Sequence, residues 1–186
     1  MDKELKPYFQ IEKDILLRTY QASDAEAVFE AALRNRERLE PFMHWMTADY
    51  SLASAKQFIV LNTQAFSKKS SAAYGIFRDR TFLGSIGFVY FDWSTRKTEI
   101  GYWLTEEAEG KGIVSSGCRV LIDYAFAELD MNRIEIKCST ENPRSYAVAE
   151  RLGFTKEAHL RQAEFRNGKF HDFYIYGLLA ADQRLW

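Results

Sequence analysis

The chain has 186 residues, of which 47% are apolar and 15% are Phe, Trp or Tyr, enough for one domain with a packed core and too apolar for a disordered chain. Its 25 Lys+Arg stand against 26 Asp+Glu, so it lacks the basic excess by which nucleic-acid proteins neutralise phosphates, although a local basic pocket for a phosphorylated ligand stays open. No run approaches the roughly 18–20 apolar residues of a membrane span, and the polar start MDKELKPYFQ holds no signal-peptide core. Cys118 and Cys138 are too few for a disulfide framework and lack metal-ligand neighbours. They read as reduced core thiols, which suits a cytoplasmic protein.

No repeat, charge block or low-complexity tract breaks the chain, so residues 1–186 are expected to form a single domain. Ile15 to Thr19 reads as the first strand. Ser23 and Asp24 then cap a helix that carries Ala27, Val28, Ala31 and Ala32 on one side. The apolar stretch Glu40 to Met46 is a loop or short helix, and a second helix is expected from about Ser51 to Lys68. Three β-like runs follow, Ala72 to Arg78, Thr81 to Phe91 and Lys97 to Leu104, with Asp79-Arg80 as a tight hairpin.

Next, Val114, Cys118, Leu121, Ile122, Ala125, Phe126 and Leu129 recur at helical spacing. Ile134, Ile136 and Cys138 alternate with charged residues as a strand. Asn142-Pro143 opens another helix, with Asn at the N-cap and Pro at the first helical position. Two final strands, Thr155 to Arg166 and Lys169 to Leu178, flank Asn167-Gly168, a strong hairpin signal. The order β-α-α-β-β-β-α-β-α-β-β describes an α/β domain with a mixed, mostly antiparallel sheet flanked by helices.

The chemistry-bearing motif is the loop Glu109 to Val114, EGKGIV, between the third meander strand and the long helix. Glycines let backbone approach a ligand, and a helix's first turn offers unpaired N–H groups. The two together suit an anion such as a pyrophosphate, with Lys111 adding charge. The loop is not a Walker A motif, and Ser115 stands where a Rossmann third glycine belongs. Taken alone it is equally consistent with a plain strand-to-helix turn.

Its surroundings carry more. Glu99-Ile-Gly-Tyr-Trp-Leu104, the EGKGI loop, Tyr124-Ala-Phe126, Arg133-Ile134, Asn142-Pro-Arg-Ser145 and Arg151-Leu-Gly-Phe154 occur in that order and spacing. This ordered set resembles the GNAT acetyltransferases, from Ile15 to Leu179. It is most similar to the RimJ/RimL branch, which acetylates N-termini of ribosomal proteins. Arg161 to Gly168, with Lys137-Cys138 and Asn142-Pro-x-Ser145, is most like the RimL type.

The resemblance implies a GNAT fold and an acetyl-CoA-dependent N-acetyltransferase with no metal, acting on a protein N-terminal α-amine of a ribosomal protein. It implies that backbone of Trp103 and Leu104 holds the acetyl end. Amides of Gly110, Lys111, Gly112, Ile113 and Val114 would hold the pyrophosphate, and Asn142 the pantetheine arm. Glu109 and Val114 depart from the family's loop pattern. An acidic side chain pointing at a pyrophosphate would be unfavourable, so Glu109 is expected to face solvent.

Acetyl transfer needs a neutral amine, an oxyanion donor and a proton for the departing thiolate. Glu164 is the candidate base. The Tyr that serves many GNAT enzymes as acid is replaced here by Ala149, and Ser145 matches the alternative donor. Tyr146 points elsewhere on its helix. Trp45, with Phe42 and Met43, lines or packs the acceptor groove. His44, His159 and His171 have no zinc or triad spacing and read as structural or surface groups. Cys138 lies near this site, and a lesser chemical role for it stays open. A small amine (polyamine or amino sugar) is an alternative acceptor, and a non-catalytic CoA-binding module is a different class of answer. No direct nucleic-acid or membrane partner is expected. Aromatic C-terminal strands with Phe170, Phe173, Tyr174 and Tyr176 offer a face for a homodimer.

Overall fold

A computed structural model describes residues 3–182, Arg184 and Trp186. Eight strands form one sheet in the order β1-β2-β3-β4-β5-β6-β8-β7. These are β1 (Tyr8–Glu12), β2 (Ile15–Arg18), β3 (Ala72–Arg78), β4 (Thr81–Asp92), β5 (Lys97–Leu104), β6 (Arg133–Ser139), β7 (Thr155–Arg166) and β8 (Lys169–Leu179). Every neighbouring pair is antiparallel except β5 with β6. The expected mixed, mostly antiparallel sheet is therefore present.

The helices are α1 (Ala25–Arg34), α2 (Arg36–Leu39), α3 (Leu52–Ser67), α4 (Ile113–Ala127) and α5 (Pro143–Arg151). Two elements lie outside the sequence-based order. β1 precedes the expected first strand and pairs with β2, burying Phe9 while Tyr8 stays exposed. Its alternation is real but short, inside a charged leader. The single turn α2 follows α1 through Asn35 and precedes the Glu40 to Met46 loop.

Alternation along the strands sends side chains to two layers. On one face Ile15, Leu17, Ile76, Ile86 and Ile100 pack with Leu121 and Ile122 of α4 and Ala149 of α5. On the other, Phe77 and Phe82 meet Val28 of α1 and Ala55 and Ile59 of α3. Leu121 and Ile122 are 0% exposed, so each contributes about 2 kcal/mol of apolar burial. Phe173 and Tyr176 are also buried, at 8% and 1% exposure. These two rings are packed within the chain and are not free for a second copy. Of the four residues named, only Phe170 is strongly exposed.

Strand pairing creates the feature on which the site depends. β5 and β6 run parallel only over Lys97–Glu99 against Arg133–Glu135. Beyond that point they diverge, leaving one edge of β5 from Ile100 to Leu104 unpaired by β6. β5 leads through a short turn, Glu106–Ala108, into α4, while β6 leads into α5. The helix-opening loops of α4 and α5 thus flank the same gap.

Candidate active site

A cavity of about 590 Å³ lies where β4, β5 and β6 meet the loop before α3, a volume typical of small-molecule sites. Trp45, Trp103, Asn142, Ser145 and Glu164 all line it. Five residues spread over 120 positions of sequence are thus gathered into one chamber. Leu104 and the loop from Gly110 to Val114 do not line it. They lie at the adjoining end of the gap, where β5 runs into α4.

Gly112 is the N-cap of α4 with φ 77°, and Gly110 has φ 71°. Both are left-handed conformations that favour glycine. An added Cβ at either would meet nothing within 4 Å. The glycines therefore serve the backbone turn, and the space above them is open to a ligand. No side chain caps α4, so its first N–H groups face that space unclaimed.

Glu109 stays partly exposed, its side chain at 33%, but it does not stand alone there. Its carboxylate receives Arg38 Nη2 from α2 and Arg144 Nη1 from α5, the latter at 2.5 Å. Two guanidinium groups outweigh one carboxylate there. The charge penalty anticipated for an acidic residue at the loop is removed by pairing rather than by exposure.

Asn142 Oδ1 accepts the backbone N–H of Ser145 at 3.1 Å. This caps α5, and Asn142 also lines the cavity. Ser145 itself is bracketed from across the gap by Tyr102 of β5. Tyr102 Oη donates to the Ser145 carbonyl at 2.9 Å, and Ser145 Oγ donates to Tyr102 Oη at 3.4 Å. Burial raises the Tyr102 hydroxyl far above its ordinary value, so it stays neutral as a tie between β5 and the start of α5. Cys138 borders the same chamber. Burial pushes its thiol up to about 11, against a lowering by Ser145. It is accordingly a neutral thiol near pH 7. Cys118 is fully buried and also free.

Ala149 is 0% exposed, packed in the core. Tyr146 turns away to pack edge-on against Tyr174 at 5.8 Å. Neither offers a proton to the cavity. Trp45 stacks obliquely on Trp103 at 5.7 Å and on Tyr50 at 5.6 Å, forming an aromatic wall with Phe42 and Met43. Glu164 reaches the cavity from β7 and accepts from Arg166 Nη1 at 3.0 Å. His44 is an exposed residue at the cavity rim, His159 pairs with Asp172 at 2.8 Å, and His171 is buried against Glu141. Among the described residues, no group of His, Cys, Asp and Glu could hold a metal ion.

Two lining residues with polar side chains near the gap were not singled out from sequence. Tyr102 is one. The other is Glu99, whose carboxyl is held above its ordinary value by burial, with Lys137 opposing. A desolvated carboxyl in a cleft is a candidate functional group. Glu99 lay within a quoted motif, but its place in the cavity wall, as the last β5 residue paired with β6, follows only from the fold.

A strand gap, a glycine-bent helix start on one side and an Asn-capped helix start on the other together frame one cleft. The Acetyltransferase (GNAT) domain family matches residues 14–155. The chain belongs to the GNAT acetyltransferases, in their RimJ/RimL branch. It is 34% identical over 171 residues to YdaF of Bacillus subtilis (strain 168), provisionally named a ribosomal N-acetyltransferase, covering 91% of this chain and 93% of that protein. It is 26% identical over 174 residues to the ribosomal-protein-serine acetyltransferase of Escherichia coli (strain K12), covering 94% and 97%. The solved structure of RimL, the ribosomal L7/L12 α-N-protein acetyltransferase in complex with coenzyme A, superposes with TM-score 0.89 at 28% identity, over 94% of this chain and 99% of that one. This GNAT protein is an N-acetyltransferase that uses acetyl-CoA as donor.

Proposed function

We propose that this GNAT enzyme acetylates the α-amine at the N-terminus of a protein, a ribosomal protein, in the cytoplasm. The observation that carries this reading is the convergence of Trp45, Ser145 and Glu164 on one cavity at the β5–β6 gap. The names of its relatives supply the acceptor class.

In this reading the open amides from Gly110 to Val114, with Lys111, receive the pyrophosphate. Asn142 donates to the pantetheine arm. Backbone of Trp103 and Leu104, unpaired by β6, holds the acetyl carbonyl and stabilises the oxyanion. A protein α-amine has a pKa near ~8, so roughly a tenth is neutral at pH 7. A modest base acting directly or through one water is then sufficient, and Glu164 takes that proton. The amine nitrogen bonds to the acetyl carbon, the carbon–sulfur bond breaks, and Ser145 Oγ rotates its one proton from Tyr102 Oη to hydrogen-bond the leaving sulfur. The Trp45 wall packs the first side chain of the acceptor.

A second reading, a small polyamine acceptor, is favoured by Glu99, which places another carboxyl in the same cavity for a second cation. The two readings separate in a CoA-release assay on peptides beginning with Ser, Ala or Met and on spermidine. The leading reading predicts kcat/KM at least about tenfold higher on a Ser or Ala peptide, a difference of about 1.4 kcal/mol in transition-state binding. Turnover of spermidine alone would overturn it. Glu99→Gln should weaken spermidine turnover only.

A further inference from the structure

At the end of β7 a guanidinium sits deep in the protein with too few partners. The Arg166 side chain is 6% exposed. Its Nη1 makes two bonds, to Glu164 Oε1 at 3.0 Å and to the Phe42 carbonyl at 3.3 Å. Nε and Nη2 are buried, with no hydrogen-bond partner among the described residues. A buried cation with orphaned donors is a poor device for stability, since apolar side chains of similar volume often serve better. Its value must lie in what Nη1 connects.

Those two bonds join opposite walls of the cavity. Glu164 belongs to the β7–β8 hairpin, and Phe42 to the loop that carries Met43, His44 and Trp45. A neighbouring bond, from Asn167 Nδ2 to the Glu40 carbonyl at 3.4 Å, runs between the same two segments. The Arg166 backbone is itself held: its carbonyl lies 3.2 Å from His171 Nε2, and His171 Nδ1 pairs with Glu141 at 2.9 Å. The guanidinium is thus anchored in the hairpin and reaches outward to fix one carboxylate and one loop.

We infer that Arg166 is a positioning residue. It holds Glu164 at the reacting amine and ties the Trp45 wall to it, so that acceptor seating and proton removal share one geometry. The inference rests on Glu164 being the base. Misplacing a catalytic group by about 1 Å can cost about 100-fold, so the effect is large enough to measure.

The test is a double-mutant cycle on the full chain with a Ser-initiated peptide, reading kcat, both KM values and the thermal melt. Arg166→Met should fold, leave KM for acetyl-CoA unchanged and lower kcat by about 10- to 100-fold. Arg166→Lys keeps the charge but not the planar fork, and should fall in between. In a Glu164→Gln background, each Arg166 change should lower kcat by less than about twofold, because the group it positions is already lost. Equal losses in both backgrounds, or Arg166→Met within about twofold of wild type, overturn the inference. Should Arg166→Met not fold, Arg166→Lys decides through the same comparison. Glu164→Gln at near wild-type rate would instead reject the base, and that outcome is distinct from the others.

Discussion

Ser145 stands in the first turn of α5, yet the helix does not need its hydroxyl. The cap is Asn142 Oδ1, and Ser145 contributes only its backbone N–H to it. The Oγ is directed instead to Tyr102 across the strand gap. Ser145→Ala should therefore leave the melting temperature nearly unchanged. If the hydroxyl donates to the leaving sulfur, the same change should lower kcat by about 10- to 100-fold, at or below the loss from removing one transition-state donor. Steady-state kinetics beside a thermal melt separates the two effects, and an unchanged kcat would remove Ser145 from the mechanism. Glu109 shows the limit of single-residue reasoning. Its charge was legible as a problem for a phosphate loop. Its remedy, Arg38 from α2 and Arg144 from α5, depends on residues 71 and 35 positions away.

At the scale of elements, β4 and β5 carry the site because their backbones approach closely. A Cβ on Gly84 would lie 2.2 Å from the Trp103 carbonyl oxygen and 2.9 Å from Leu104 Cα. Gly84→Ala must push β5 away at the two residues assigned to the acetyl group. We predict a loss of about 2 kcal/mol or more in urea unfolding, in line with overpacking, together with reduced turnover. Elements with local signals were readable from sequence. Asn142-Pro143 opens α5, and Asn167-Gly168 turns the last hairpin with φ 50° and 76°. α3 starts at the Ser51 cap and ends against Lys68. β1 was not readable, because five residues in a charged leader give too short an alternation to stand out. The cavity walls were readable only in part. Glu164 and Ser145 came through family resemblance, whereas Glu99 takes its place at the end of the β5–β6 pairing, Tyr102 beyond it where the strands diverge, and Arg166 from β8 inserting between β6 and β7.

Across the whole molecule, the sheet's two faces are covered by different helices, and α1 is tied to the sheet by charge as well as by apolar contact. Arg18 of β2 forks onto Asp24, with Nη1 at 2.7 Å and Nη2 at 2.8 Å from its two oxygens. Burial alone would raise the Asp24 carboxyl; the Arg18 bonds and the Gln21 N–H outweigh it and hold the group below its ordinary value. A carboxyl depressed in the folded state adds stability above the unfolded value near ~3.9 and loses it as the pH falls through the folded value. Urea melts between about pH 2 and 7 should therefore show stability dropping below about pH 4. Asp24→Asn should be less stable at pH 7 and flatter over the acid range. An equally steep acid limb in that variant would place the titrating groups elsewhere.

The central claim is that one cavity brings a donor thioester, an acceptor α-amine and the Glu164 carboxylate together. The most direct measurement is single-turnover acetyl transfer from acetyl-CoA to a Ser-initiated peptide, wild type against Glu164→Gln, with acetyl-CoA affinity measured alongside by calorimetry. The account predicts a rate loss of about 10²–10⁴, the contribution of a general base, at unchanged acetyl-CoA affinity. A rate within a few-fold of wild type would contradict it.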